Sequence, residues 1–197
     1  MTKIEKLTAE QEKQVVEYRE RFFKSATDCR PTDRERARKA GLRLAELGGL
    51  KNCQVTFIKN PSEVPEVMKS LRGSLSESPW YSFSGESLRY SLGESLSKSL
   101  RYLLNESLRY SLRDSLLESL RESLWNSLHD SGWTALYSYA VNELGIECTP
   151  KHREIMELYC EIAEAAFAVW IVPGTVIICD KPRITEVENG KLVNIEW

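Results

Sequence analysis

The chain lacks an excess of charge of either sign. Its 27 Lys and Arg stand against 29 Asp and Glu, a formal net charge of −2. That balance argues against a phosphate-tracking surface, which needs clustered positive charge. It argues equally against an acidic mimic of DNA. Paired cysteines are missing too. Cys29, Cys53, Cys148, Cys160 and Cys179 are odd in number and scattered, and no C-x-x-C occurs. They read as reduced thiols of a cytoplasmic protein. No apolar run reaches bilayer-spanning length, and the opening MTKIEKLTAEQEK is too polar for a signal peptide. There is no Gly-rich phosphate loop, because Gly48-Gly49 lacks a following Lys-Ser/Thr. Histidine is scarce, at two residues. His152 follows Cys148 by four positions, but Pro150 lies between them and no second pair exists to complete a structural zinc site. His129 takes a variable position of a repeat, where an exposed face is the simpler reading than a catalytic base. No metal and no cofactor are expected.

What the chain has in abundance is one phrase. From Ser70 to about Thr134, a Ser-Leu-x-x unit recurs about sixteen times. Leucine follows the phase from Leu88 to Leu128 in steps of four, while serine yields once, at Leu103. A looser copy covers Ser70-Leu71 to Ser82-Phe83. On an α-helix a step of four overshoots a full turn by about 40°, so a leucine stripe would wind round the rod. One helix over 87–134 would also span roughly 70 Å, against about 40 Å for a compact chain of this length. In a strand, by contrast, an even spacing keeps every leucine on one face. The spacing therefore predicts an α+β protein. Helical flanks would cap a tetrapeptide-repeat β-solenoid, leucines along the axis and variable residues outside. A mainly α arrangement with broken or paired long helices is the alternative, favoured by the Glu106-Arg109 and Glu118-Arg121 pairs. Disorder is the third reading, disfavoured because a leucine at every fourth residue is too apolar for an unfolded segment.

The flanks carry ordinary signals. Thr8 and Gln11 form a capping box opening a helix to about Ser25, with Val15, Val16, Tyr18 and Phe22 inward. Thr32-Asp33-Arg34-Glu35 reads as a second box, opening a helix to about Leu47, stopped by Gly48-Gly49. Cys53–Ile58 reads as a strand, and Asn60-Pro61-Ser62-Glu63 starts a short helix. Trp133–Leu144 is apolar at helical spacing, and Thr149-Pro150 opens a helix to about Ala168. Val169–Cys179 is β-branched, and Asn189-Gly190 predicts a hairpin between Arg183–Glu188 and Lys191–Trp197. The chain divides into a helical N-terminal cap with one strand (1–69), the repeat (70–134), and C-terminal helices with a β-hairpin (135–197).

The opening KLTAEQE…VEYRERF, the Ser-Leu-x-x array and the later VIICDKPRITEV followed by NGKL resemble an uncharacterised bacterial family. Its members carry tandem Ser-Leu-x-x or Ser-Gln-Leu-x arrays between helical and small-sheet flanking regions. The resemblance spans nearly the whole chain. It implies a bacterial intracellular protein and brings no activity, ligand or catalytic residue with it.

Function is expected in the variable positions. Arg89-Tyr90, Arg101-Tyr102 and Arg109-Tyr110 form the best candidate recognition face, because Arg and Tyr are enriched in binding hot spots. Packing of their stems and rings against the repeat wall is the plainer reading. The expected function is a non-catalytic repeat scaffold or protein-binding module, its partner another protein, with no membrane role and nucleic acid unlikely. A monomer or modest homo-oligomer is expected, with Trp80, Trp125 and Trp133 marking the ends of the solenoid. Two alternatives stand beside it. One is an enzyme with a site near Asp180 and Arg183, or using Glu161 or Glu164 as a general acid. The other is weak nucleic-acid binding through the basic Arg34–Arg43 helix. No residue is assigned a catalytic role.

Overall fold

Side-chain caps decide where the helices begin. Residues 3–72, 84–124 and 129–197 are described by the computed structural model. Thr8 and Gln11 close the predicted capping box over α1 (Ala9–Ala26). The start of α2 (Arg34–Leu47) falls one residue later than a Thr32 cap implies. Asp33 caps it, and the Thr32 hydroxyl instead accepts the Lys181 N–H. Asn60 and Glu63 cap a single 3-10 turn (Pro61–Glu63) leading into α3 (Val64–Arg72). Beyond the repeat come α7 (His129–Asn142) and α8 (Pro150–Ala165), the latter capped by Thr149 with Pro150 at its first turn.

Among the described residues, five strands make two small sheets. β1 (Gln54–Ile58) runs parallel to β3 (Thr175–Cys179), and β2 (Ala168–Val172) pairs antiparallel on its other side, giving the order β1-β3-β2. The central strand β3 is buried throughout, which explains its unbroken β-branched sequence. β4 (Ile184–Glu188) and β5 (Lys191–Glu196) form the predicted hairpin. Asn189 and Gly190 both take positive φ, 51° and 73°, as a two-residue turn of this kind requires.

Period-two alternation sends β3 to two cores. Val176 and Ile178 face the main core with α1, α2, α7 and α8. Ile177 and Cys179 face a smaller one with Val64, Val67 and Met68. Gly41 lets α2 lie directly on the sheet: a Cβ there would come within 2.8 Å of Val176 Cγ1.

The repeat is not a solenoid. It is helical, in α4 (Ser84–Leu103), α5 (Glu106–Arg113), a π-helical segment (Asp114–Glu118) and α6 (Ser119–Ser123). The β-solenoid expectation is overturned, while the α+β class holds. The winding that seemed to forbid a helix is real, and the chain interrupts it twice. From Leu92 to Leu104 three steps of four turn the stripe by about 120°, which a normal apolar helix face accommodates. Leu92, Leu96, Leu100 and Leu104 are all buried. There the helix stops. Asn105 caps the next one, accepting the Leu108 N–H at 2.7 Å. The π segment is the second correction. Its wider turns hold more residues than an α turn, so a step of four rotates the stripe back. Leu112, Leu116, Leu120 and Leu124 consequently stay buried. The length objection is met the same way, since no single rod runs through the array.

The stop after α4 is held by the N-terminal segment. Ile4 N–H donates to Leu103 O at 2.8 Å, and Asn105 N–H donates to Ile4 O at 3.2 Å. Asn105 Nδ2 also reaches Glu5 O. Farther on, Gly132 of α7 meets the π segment: a Cβ would fall 2.9 Å from Leu117 O. Trp133 is no end-cap. It is buried in the main core, edge-on to Tyr137 and Tyr159. Trp80 and Trp125 lie outside the described residues.

Candidate binding site

The corner between α4 and α5 opens into a cavity of about 560 Å³. Its floor is the inward leucine stripe, with Leu100, Leu104 and Leu112, completed by Leu117 and by Leu136 of α7. Its rim is cationic: Arg101, Arg109 and Arg113 all line it, with Tyr110 beside them. Each of these comes from a variable position of the repeat. Were α4 and α5 one continuous rod, units this far apart would point in different directions. The break at Asn105 folds them round a shared hollow.

The far wall is fixed by hydrogen bonds. The Tyr137 hydroxyl lies 2.9 Å from Ser97 Oγ and donates to Gly93 O at 3.4 Å. Trp133 packs edge-on against the Tyr137 ring. Gly93 faces this pair, and a Cβ there would meet Trp133 Nε1 at an ordinary contact distance of 3.5 Å.

The cations of the rim are loosely neutralised. Arg109 is 4.0 Å from Glu106, and Arg113 is 3.5 Å from Glu118. Arg101 has no ion-pair partner among the described residues. The Arg109 guanidinium lies over the Tyr110 ring at 5.3 Å. Tyr102 and Tyr110 project outward, 68% and 56% exposed.

Of the predicted recognition face, Arg101, Arg109 and Tyr110 converge on the cleft. Tyr102 stands on the outer surface next to it. Arg89 and Tyr90 belong to α4, but their side chains lie outside the described set, as does that of His129. Sequence reasoning missed Arg113, Ser97 and Tyr137. Ser97 sits in a variable slot of the array, and that misplaced serine is the trace a closer reading could have followed.

The other candidates are structurally engaged. Asp180 accepts two hydrogen bonds from Arg34, Nη2 at 2.5 Å and Nε at 3.2 Å. Arg183 is exposed and gives its backbone N–H to Glu196 O. Glu164 is gripped by Arg21 and by Arg36 at 2.9 Å. Burial alone would raise its pKa, but the two guanidinium groups outweigh that and hold it below the ordinary value. A carboxyl kept ionised is ill suited to donate a proton. Glu161 is half-buried on the same helix.

Four of the five basic side chains of α2 make ion pairs, and the fifth, Arg38, is exposed. Arg34 binds Asp180, Arg36 binds Glu164, Lys39 binds Glu35, and Arg43 binds Glu46 and Glu154. His152 and Cys148 are half-buried near the start of α8, with no group of three metal-ligating side chains among the described residues. All five cysteines are unpaired, and burial pushes Cys160 up to about 11 and Cys179 up to about 12. No described helix is long and apolar enough to cross a membrane.

No family model, curated protein or solved structure matches this chain.

Proposed function

We propose that this chain is a non-catalytic protein-binding module that engages its partner through the α4–α5 corner of the repeat. The supporting observation is the pairing of two exposed tyrosines, Tyr102 and Tyr110, with an arginine-rimmed cleft at one corner. Exposed aromatic rings beside a partly apolar hollow give a partner both contact area and an anchor point. Tyrosine loses little conformational freedom on binding, so its contacts are efficient. The reduced, partly buried cysteines fit a cytoplasmic setting, and we place the module there as a monomer or modest homo-oligomer.

The test is a display selection of random peptides on the intact protein. The expected result is a set of binders whose affinity falls about tenfold or more in the Tyr102→Ala/Tyr110→Ala double variant. Both rings are exposed, so the variant should keep the helical circular dichroism of the parent. Failure to enrich any peptide, or enrichment of peptides indifferent to the two tyrosines, would refute the proposal.

A further inference from the structure

The geometry points to the chemistry of the partner: an acidic segment carrying an apolar side chain that enters the cleft. This rests on the protein-binding reading above and specifies what the corner selects. Three guanidinium groups surround one hollow, and the nearby carboxylates Glu106 and Glu118 take up only part of that charge, at 4.0 and 3.5 Å. Three arginines of α2 are used differently. Arg36, Arg43 and Arg34 close on their carboxylates at 2.5–2.9 Å. Guanidinium groups left this open are free to take partner carboxylates in the planar, two-bonded geometry that arginine favours.

Beneath the charges the lining is leucine. A wholly polar anion would leave that floor wet, and a wholly apolar segment would strip water from the guanidinium groups without replacing it. A segment with an aliphatic or aromatic side chain flanked by Asp or Glu satisfies both layers. The volume of about 560 Å³ lies within the range of pockets that take a compact ligand, so it admits an anchor side chain and its neighbours rather than a whole domain. The fixed Ser97–Tyr137 wall means that the hollow is held in shape by its own hydrogen bonds, which lowers the ordering cost of binding.

The same display selection, read for composition, tests this. Selected peptides should be enriched in Asp and Glu around a Leu, Ile or Phe. Their binding to Arg101→Gln and to Arg113→Gln should weaken about tenfold in each case. Binding to the unmodified protein should weaken steadily between about 0.05 and about 0.5 M NaCl, a measurement that needs no variant to fold. Enriched peptides without acidic residues, or acidic ones insensitive to both substitutions and to salt, would overturn the inference and leave the protein-binding reading standing. Enrichment of nothing would remove that reading instead. A fluorescent single-stranded oligothymidylate that binds more tightly than the best acidic peptide would also overturn it, since the arginines and tyrosines would then be reading phosphate and base.

Discussion

Arginine does opposite work on two sides of this molecule. Where α2 packs against α8 and the end of β3, it is structural. Arg21 and Arg36 grip Glu164, Arg34 binds Asp180, and Arg43 spans Glu46 and Glu154. Below them the Lys181 ammonium, 5% exposed, reaches Asp28 at 2.6 Å and the Glu164 carbonyl at 2.6 Å. At the α4–α5 corner the same residue type lines open space, over leucine. A near-neutral composition hides the contrast. Positive charge is not in surplus; it is neutralised closely in one region and loosely in another, and the second lines a hollow.

The sharpest way to break the contrast is to remove a carboxylate from the tight side. Asp28→Ala leaves the buried Lys181 ammonium without its counter-charge, and should cost about 3–5 kcal/mol in urea unfolding. The pH dependence sharpens the same point. Hydrogen bonds from Arg30, opposed by burial and reinforced by Lys181, hold the Asp28 carboxyl well below the usual carboxylate range. A depressed folded value contributes its stability fully above the unfolded pKa of about 3.9 and loses it as pH falls through the folded one. Stability measured from pH 7 downward should therefore decline below about pH 4 in the parent. That part of the decline should be missing in the variant. Peptide binding at the corner should be untouched by the substitution at neutral pH, so long as the fold persists.

A middle-sized effect tests the helical solution to the repeat. Gly132→Ala puts a methyl 2.9 Å from the Leu117 carbonyl oxygen. It should destabilise by about 1–3 kcal/mol, because a backbone oxygen cannot swing aside as a side chain can. The smallest effect concerns the break itself. Asn105→Ala removes the cap of α5 and the bond to Glu5 O, at a cost of about 1 kcal/mol. It should nonetheless weaken peptide binding at the corner more than Gly132→Ala does. The same binding curves and thermal melts decide that ranking.

Much of the flanking architecture was legible because local chemistry decides it. Thr8, Asn60 and Thr149 cap the helices expected of them, and Asn189-Gly190 turns the hairpin. What local chemistry cannot reach is the pairing of β1 with β3, across more than a hundred residues of sequence. The repeat was misread for another reason. A four-residue period suits a strand face perfectly and a helix face only for a few steps, so the uniform reading chose the strand. The chain is not uniform. Leu103 breaks the serine series at the point where α4 ends, and Asn105 beside it is a good cap. Those two departures were visible, and they carried more information than the regular units around them. The cleft was half legible. Arg101, Arg109 and Tyr110 were candidates by residue type, yet their convergence depends on the corner.

The hydrogen bonds between Ile4 and the Leu103–Asn105 backbone have a consequence for how this protein is handled and assembled. They close a loop of roughly a hundred residues, a non-local contact whose closure entropy the surrounding packing must offset. The corner that carries the hollow is therefore held in part by residues from the N-terminal end of the sequence. Removing those residues would take away the bonds that Ile4 and Glu5 make to Leu103 and Asn105, while leaving the distant Lys181–Asp28 pair untouched.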